Sequence, residues 1–269
     1  MNKIITCLIA SVGLAVSSLS AADFTGTITW AMRVDITDPE MKRQMEASSS
    51  PEMQEQMKAA QEAMNDPQMQ AMFKANPQMR EMMEKQMKAM SKGPGEMFPK
   101  STTLHMKGTR SLVRTEGGAA AGDILTLADK DVSYQIDREA RTYRKLAIQK
   151  TAGSMDDKFK VTPTKETTKV LGYTCERYVV ETTDSETKMN WNVWATDDIK
   201  GLDARALDRL RVGQSSGPNV FSKIKGVPLK MEITTPQMKM FMDATQVKAE
   251  SLPDSLFELP SGFKELPAQ

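Results

Sequence analysis

A chain of 269 residues with 39% hydrophobic content can build one substantial core or two small ones. Its 36 basic and 35 acidic residues leave a formal charge of +1, which excludes the electrostatic footprint of a nucleic-acid binder. Two cysteines, one of them at position 7, exclude a disulfide framework.

The chain opens with Lys3, an apolar run from Ile4 to Val16, and Ser20-Ala21-Ala22 before Asp23. Residues 1–22 read as a cleaved secretory signal, too short for a membrane span, and predict an exported protein, periplasmic where the cell has an outer membrane. Cleavage leaves Cys175 alone. It is either a buried small residue in a strand or a free thiol open to an intermolecular bond; burial is preferred, since free cysteine is among the most buried residue types.

Phe24, Gly26, Ile28, Trp30, Met32, Val34 and Ile36 alternate with Thr25, Thr27, Thr29, Ala31, Arg33, Asp35 and Thr37. That period of two predicts a strand apolar on one face and wet on the other. An insertion follows over residues 38–98, holding thirteen of the twenty-two methionines. Four start signals recur in and around it: Asp38-Pro39-Glu40-Met41, Ser50-Pro51-Glu52-Met53, Asp66-Pro67-Gln68-Met69 and Asn76-Pro77-Gln78-Met79. Each sets a capping residue before a proline suited to the first helical position. Helices are predicted at roughly Pro51 to Met64, Pro67 to Lys74 and Pro77 to Ser91. Met53, Met57, Ala60 and Met64 make one stripe, and Met79, Met82, Met83, Met87 and Met90 another. Helices this short are marginal alone, so they need the body of the protein or a partner to pack on.

Strands resume near Ser101 as a meander. Leu104 and Met106 turn at Lys107-Gly108 into Leu112-Val113, and Gly117 to Gly122 form a loose loop. Ile124 to Leu127 turns at Asp129-Lys130-Asp131 into Val132 to Ile136, which feeds Thr142 to Leu146. Gln149 to Lys158 reads as a connection. Lys165 to Val170, Tyr173 to Thr182 and Lys188 to Ala195 read as three more strands, and Leu202 to Leu210 as a short amphipathic helix. Val227 to Thr234 and Met238 to Val247 form a last hairpin turned at Thr235-Pro236-Gln237. Met238, Met240, Met242 and Ala244 share one face of its second strand. A proline-bounded tail from Leu252 to Phe263 closes the chain. About ten strands with one helical insertion predict a single β-rich domain over residues 23–269, built on a large curved antiparallel sheet.

Gly172-Tyr173-Thr174-Cys175 with Tyr178, Trp194-Ala195-Thr196-Asp197-Asp198-Ile199, Gly226-Val227-Pro228-Leu229-Lys230-Met231, and the closing Pro253-Asp254-Ser255-Leu256-Phe257 with Pro260 and Gly262-Phe263 carry a family likeness. They resemble motifs of a bacterial exported domain-of-unknown-function family, number forty-four-twelve, over roughly Ser101 to Leu266. That family is distantly similar in architecture to the LolA and LolB carriers. The resemblance implies a half-barrel with an apolar inner face and brings no catalytic residue or cofactor. In this chain the covering helices would come from the insertion after the first strand.

Met69-x-x-Met72 and Met87-x-x-Met90 resemble thioether clusters for Cu(I), but helical spacing among alanine and glutamine gives an apolar face the same pattern. Gly213-Gln214-Ser215-Ser216-Gly217 fits the spelling of a hydrolase elbow. The elbow needs a preceding strand and a later histidine, whereas a helix is predicted before it and the single histidine, His105, lies upstream. Gly117 to Gly122 lacks the lysine of a phosphate loop. Asp197-Asp198 and Asp129-Lys130-Asp131 lack calcium-ligand spacing. Trp191 and Val193 are expected on one side of their strand and Trp194 on the other.

The sequence therefore predicts a non-enzymatic binding or carrier protein without cofactor or metal, and without a transmembrane segment. Its ligand would be apolar: a lipid chain, a lipidated protein or an apolar peptide. The residues expected to line the site are Met53, Met57, Met64, Met79, Met83 and Met87 from the insertion, with Trp30, Met240 and Met242 from the sheet. The alternatives are a periplasmic Cu(I)/Ag(I)-binding protein using methionine clusters, and a protein-interaction module.

Overall fold

The computed structural model describes residues 24–48, 50, 98–118, 122–146, 159–182, 189–202 and 220–268, with Glu55, Lys58, Ala59, Glu62, Asp66, Gln70 and Phe73 between. In chain order come β1 (Thr25–Ile36), helix α1 (Pro39–Ser48), β2 (Ser101–Lys107), β3 (Arg110–Glu116), β4 (Gly122–Leu127), β5 (Val132–Asp137) and β6 (Thr142–Leu146). Then follow β7 (Phe159–Val170), β8 (Tyr173–Thr182), β9 (Asn190–Thr196), β10 (Val227–Thr234), β11 (Met238–Ala249) and β12 (Lys264–Leu266). They form one curved, unclosed sheet in the order β12-β6-β5-β4-β3-β2-β1-β11-β10-β9-β8-β7.

The order follows from local connections. Meander β2 to β6 and meander β7 to β11 are each made of antiparallel neighbours, and β1 joins them by pairing β2 on one side and β11 on the other. Twelve residues separate β6 from β7, which lie near opposite edges of the sheet. The strand β7 starts at Phe159, ahead of the predicted Lys165, and β12 was not predicted at all. The latter is three residues long and pairs in parallel with β6.

Side-chain alternation sends apolar residues to both faces. On β3, Ser111, Leu112 and Val113 are buried in succession, which requires cover on both sides. Val113 and the facing Ile124 join a large inner cluster with Ile28, Trp30, Leu104, Met231 and Met242. Leu112 and the facing Leu125 belong to an outer cluster, closed by Leu252 and Phe257 of the C-terminal tail. A 3-10 turn at Asp254–Phe257 aims Phe257 inward, and Asp254 takes ion pairs from Arg110 at 2.6 Å and Lys107 at 3.1 Å. The Arg110 guanidinium also lies over the Phe257 ring, 5.4 Å from its centroid. Beyond the tail the outer face is polar: Trp194 sits under Lys230 and Arg177, as its odds-and-evens position relative to Trp191 predicts.

Cys175 is buried, and burial pushes its thiol pKa up, in keeping with a packing residue. The tip of the β7–β8 hairpin is Leu171-Gly172, both at positive φ.

Helix α1 starts at the first of the four signals. Its cap is Asp38, whose Oδ1 accepts the Met41 amide at 2.7 Å. Glu55, Lys58, Ala59 and Glu62 are helical and exposed, and Gln70 and Phe73 are helical, within the first two predicted helices. Phe73 is buried. The predicted helix at Pro77 to Ser91 lies outside the described residues, as do the signal segment and all of the predicted Leu202 to Leu210 helix beyond Leu202 itself.

Candidate functional site

The inner face is apolar along its length, but its two ends differ. At the end holding Phe24, Thr196 and Val227, the segment after β9 packs Ile199, Val220, Phe221 and Ile224 into the cluster. The Phe24 amide donates to the Gly201 carbonyl there at 2.9 Å. At the opposite end, where β1 runs out and β11 begins, lies a shallow, half-open hollow with a volume of about 10 Å³. Its lining is Met32, Met231, Ile233, Met240, Phe241 and Met242.

Register explains the lining apart from Phe241, which alternates with Met240 and Met242 and lies under the Arg33 guanidinium. Met32 on β1 faces Met242 on β11, which faces Met231 on β10, which faces Val193 on β9. One pair along, Val34 faces Met240, then Ile233, then Trp191. Two lateral apolar rows thus cross four adjacent strands. Of the six methionines in strands among the described residues, Met32, Met231, Met238, Met240 and Met242 belong to β1, β10 and β11; the sixth is Met106. Strand positions favour β-branched and aromatic residues, so this concentration of unbranched side chains reflects the hollow rather than the sheet. The Thr102 hydroxyl donates to the Met32 sulfur at 3.4 Å, which holds that side chain at the rim.

Of the residues predicted from sequence, Met240 and Met242 meet in the hollow, Met240 half-buried and Met242 buried. Trp30 is on the same face one pair beyond Met32 and is fully buried. Its indole N–H donates to the Pro228 carbonyl at 3.0 Å, a group freed by the register shift between Pro228 and Lys230. Met53, Met57, Met64, Met79, Met83 and Met87 lie outside the described residues. Met32, Met231 and Ile233 were not singled out. Met32 is visible in the alternation of β1, but its neighbours depend on register across strands some two hundred residues apart.

One polar group stands out beside this row. The Trp191 indole nitrogen is buried with no hydrogen-bond partner, the one such side-chain atom among the described residues. Trp191 packs on Phe159, ring centroids 5.9 Å apart, and faces Ile233 of the hollow. A buried donor left unpaired costs about 1–3 kcal/mol.

The chain's path ties the insertion to this end. Ile36, the last residue of β1, pairs with Met238, and α1 begins three residues later. The chain returns at Lys100, whose carbonyl accepts the Met32 amide at 2.8 Å. Among the described residues no group of three or more His, Cys, Asp or Glu side chains could hold a metal. No helix among them is long and apolar enough to cross a membrane.

A family model described as Domain of unknown function (DUF4412) matches residues 101–263. No curated protein matches the chain. Among solved structures, PNGF-II is matched at 18% identity and a TM-score of 0.37, over 62% of this chain and 27% of that one. An uncharacterized conserved protein from Thermus thermophilus is matched at 6% identity and a TM-score of 0.39, over 62% of this chain and 81% of that one.

Proposed function

The chain belongs to the family of the domain of unknown function DUF4412, and from that premise we propose an exported, non-enzymatic binding or carrier protein for an apolar ligand. The ligand is a lipid chain, a lipidated protein or an apolar peptide, held at the methionine-lined end of the sheet beneath the helices of residues 38–98. The observation that carries the reading is the hollow itself, four thioether side chains brought together at one end of the apolar inner face. Methionine has three rotatable bonds and a polarizable sulfur, so such a lining adapts to occupants of different shape.

Two further observations support it. The insertion leaves and rejoins the sheet beside the hollow, and Glu55, Lys58, Ala59 and Glu62, spaced along one helical face, are exposed. The unpaired Trp191 N–H also favours an occupant carrying an acceptor, such as a carboxylate or ester oxygen beside its apolar body. The test is native mass spectrometry of the purified protein, with limited proteolysis across residues 54–88 with and without lipid extract. A co-purifying apolar molecule and slowed cleavage are expected; a protein free of small molecules, cleaved identically in both arms, overturns the reading.

The same four thioethers favour a second reading, a Cu(I)- or Ag(I)-binding protein, since soft metals select such ligands. Stoichiometric metal retained after Cu(I) loading, and lost on oxidation of methionine to sulfoxide, would select it over the first.

A further inference from the structure

Leu171 breaks two local rules at once. It is 48% exposed, the one exposed large hydrophobic side chain among the described residues. It also holds φ +52°, a left-handed backbone that a branched side chain adopts only under strain. Gly172 follows at φ +86°, so the pair forms the hairpin turn in which Asn-Gly or Asp-Gly would sit at less strain. Either of those would also remove the exposed apolar surface. A residue that opposes both turn chemistry and solvation marks a place where something other than folding stability is served.

The surroundings narrow what that is. A Cβ added at Gly172 would meet nothing within 4 Å, so the tip projects into open space. Val170 and Tyr173 flank the turn and are paired across it, both half-buried. From Thr168 to Cys175 the hairpin carries one charge, Lys169, and no acidic residue. Val170 and Tyr173 pack back against the inner cluster, so the tip offers an aliphatic side chain with a lysine behind it, which match the acyl boundary and the phosphate layer of a lipid surface. We propose that the Leu171-Gly172 hairpin tip docks this protein onto an anionic lipid surface. Leu171 enters the headgroup layer and Lys169 sits against lipid phosphate. One leucine and one lysine give weak, reversible attachment, seen at ~mM lipid rather than below it. The hollow plays no part in this contact, so it stands or falls apart from the ligand-binding reading.

Flotation of the whole protein with vesicles tests it, using phosphatidylethanolamine with phosphatidylglycerol in one arm and phosphatidylcholine alone in the other. Binding is expected in the first arm and weakly or not at all in the second. The deciding variant is Leu171→Asn, because asparagine tolerates the left-handed backbone. It is expected to raise the thermal midpoint while lowering vesicle binding about tenfold, the loss from withdrawing one buried leucine. Unchanged flotation of L171N, no flotation of the parent protein in either arm, or equal flotation in both arms would overturn the proposal.

Discussion

His105 shows how a single side chain on the outer face is tied to its neighbours. The Thr27 hydroxyl donates to Glu250 at 3.0 Å, so it accepts from His105 Nδ1, 3.3 Å away. Burial holds the imidazole pKa below its usual 6.5, with Arg114 acting in the same direction. A depressed folded pKa stabilises the fold above the unfolded value and withdraws that stability as pH falls below about 6.5. The urea midpoint should therefore drop between pH 7.5 and 5.5, and His105→Gln should flatten that limb. Asp254, Asp197 and Glu250 are held low chiefly by hydrogen bonds from Arg110, Lys225 and Lys248, so their contributions fade only in stronger acid. Glycines divide just as clearly. A Cβ at Gly226 would lie 2.2 Å from the Thr196 carbonyl oxygen at φ +90°, whereas one at Gly172 would enter open space. Gly226→Ala should cost roughly 2–4 kcal/mol and Gly172→Ala about 1 kcal/mol, measured by chemical denaturation. At this scale the sequence was informative about side: Trp30, Trp191 and Trp194 face where alternation puts them. It could not announce that Trp30 is sealed by the Pro228 carbonyl, since that acceptor exists only because β10 shifts register.

Elements were legible where turn chemistry bounds them. Lys107-Gly108, Asp129-Lys130-Asp131 and Thr235-Pro236-Gln237 each separate two strands that pair as neighbours. The first half of β7 was missed for a physical reason: Pro163 and a register shift interrupt its pairing. Those same features, with Lys160, Lys165 and Lys169, discourage another strand from adding there. Strand β12 is legible in no pattern, since three residues carry no period and its parallel partner is more than a hundred positions away. Two substitutions separate a local contribution from a global one. Asp38→Ala removes the α1 cap and should cost about 1 kcal/mol within that helix. It should appear as faster amide exchange near Met41 with the global midpoint unmoved, because β1 does not rely on α1. Phe257→Ala opens a cavity in the outer cluster and should cost about 3–5 kcal/mol, lowering the midpoint for the whole sheet.

At the scale of the molecule, a strand from the beginning of the described chain lies between two meanders and pairs with one near its end. A mainly β fold with a curved open sheet was within reach of the sequence because each meander is local and its hairpins announce themselves. The lateral rows that make the hollow were not, because they depend on β1 aligning with β11 at one register. That register can be tested through the site. Met32→Gln with Met240→Gln changes two half-buried rim residues to polar ones of similar length. It should abolish capture of an apolar molecule while shifting the thermal midpoint by only a few degrees, about 1–2 kcal/mol; retained capture would put the ligand elsewhere. Finally, the connection between β6 and β7 has a geometric consequence. Leu146 and Phe159 are thirteen Cα steps apart, a leash that reaches at most about 45 Å. Ten inter-strand spacings lie between those strands, about 48 Å if laid flat. The peptide is shorter than the distance it would have to cross, so the sheet is obliged to bow, and its mouth can gape only until that leash is taut.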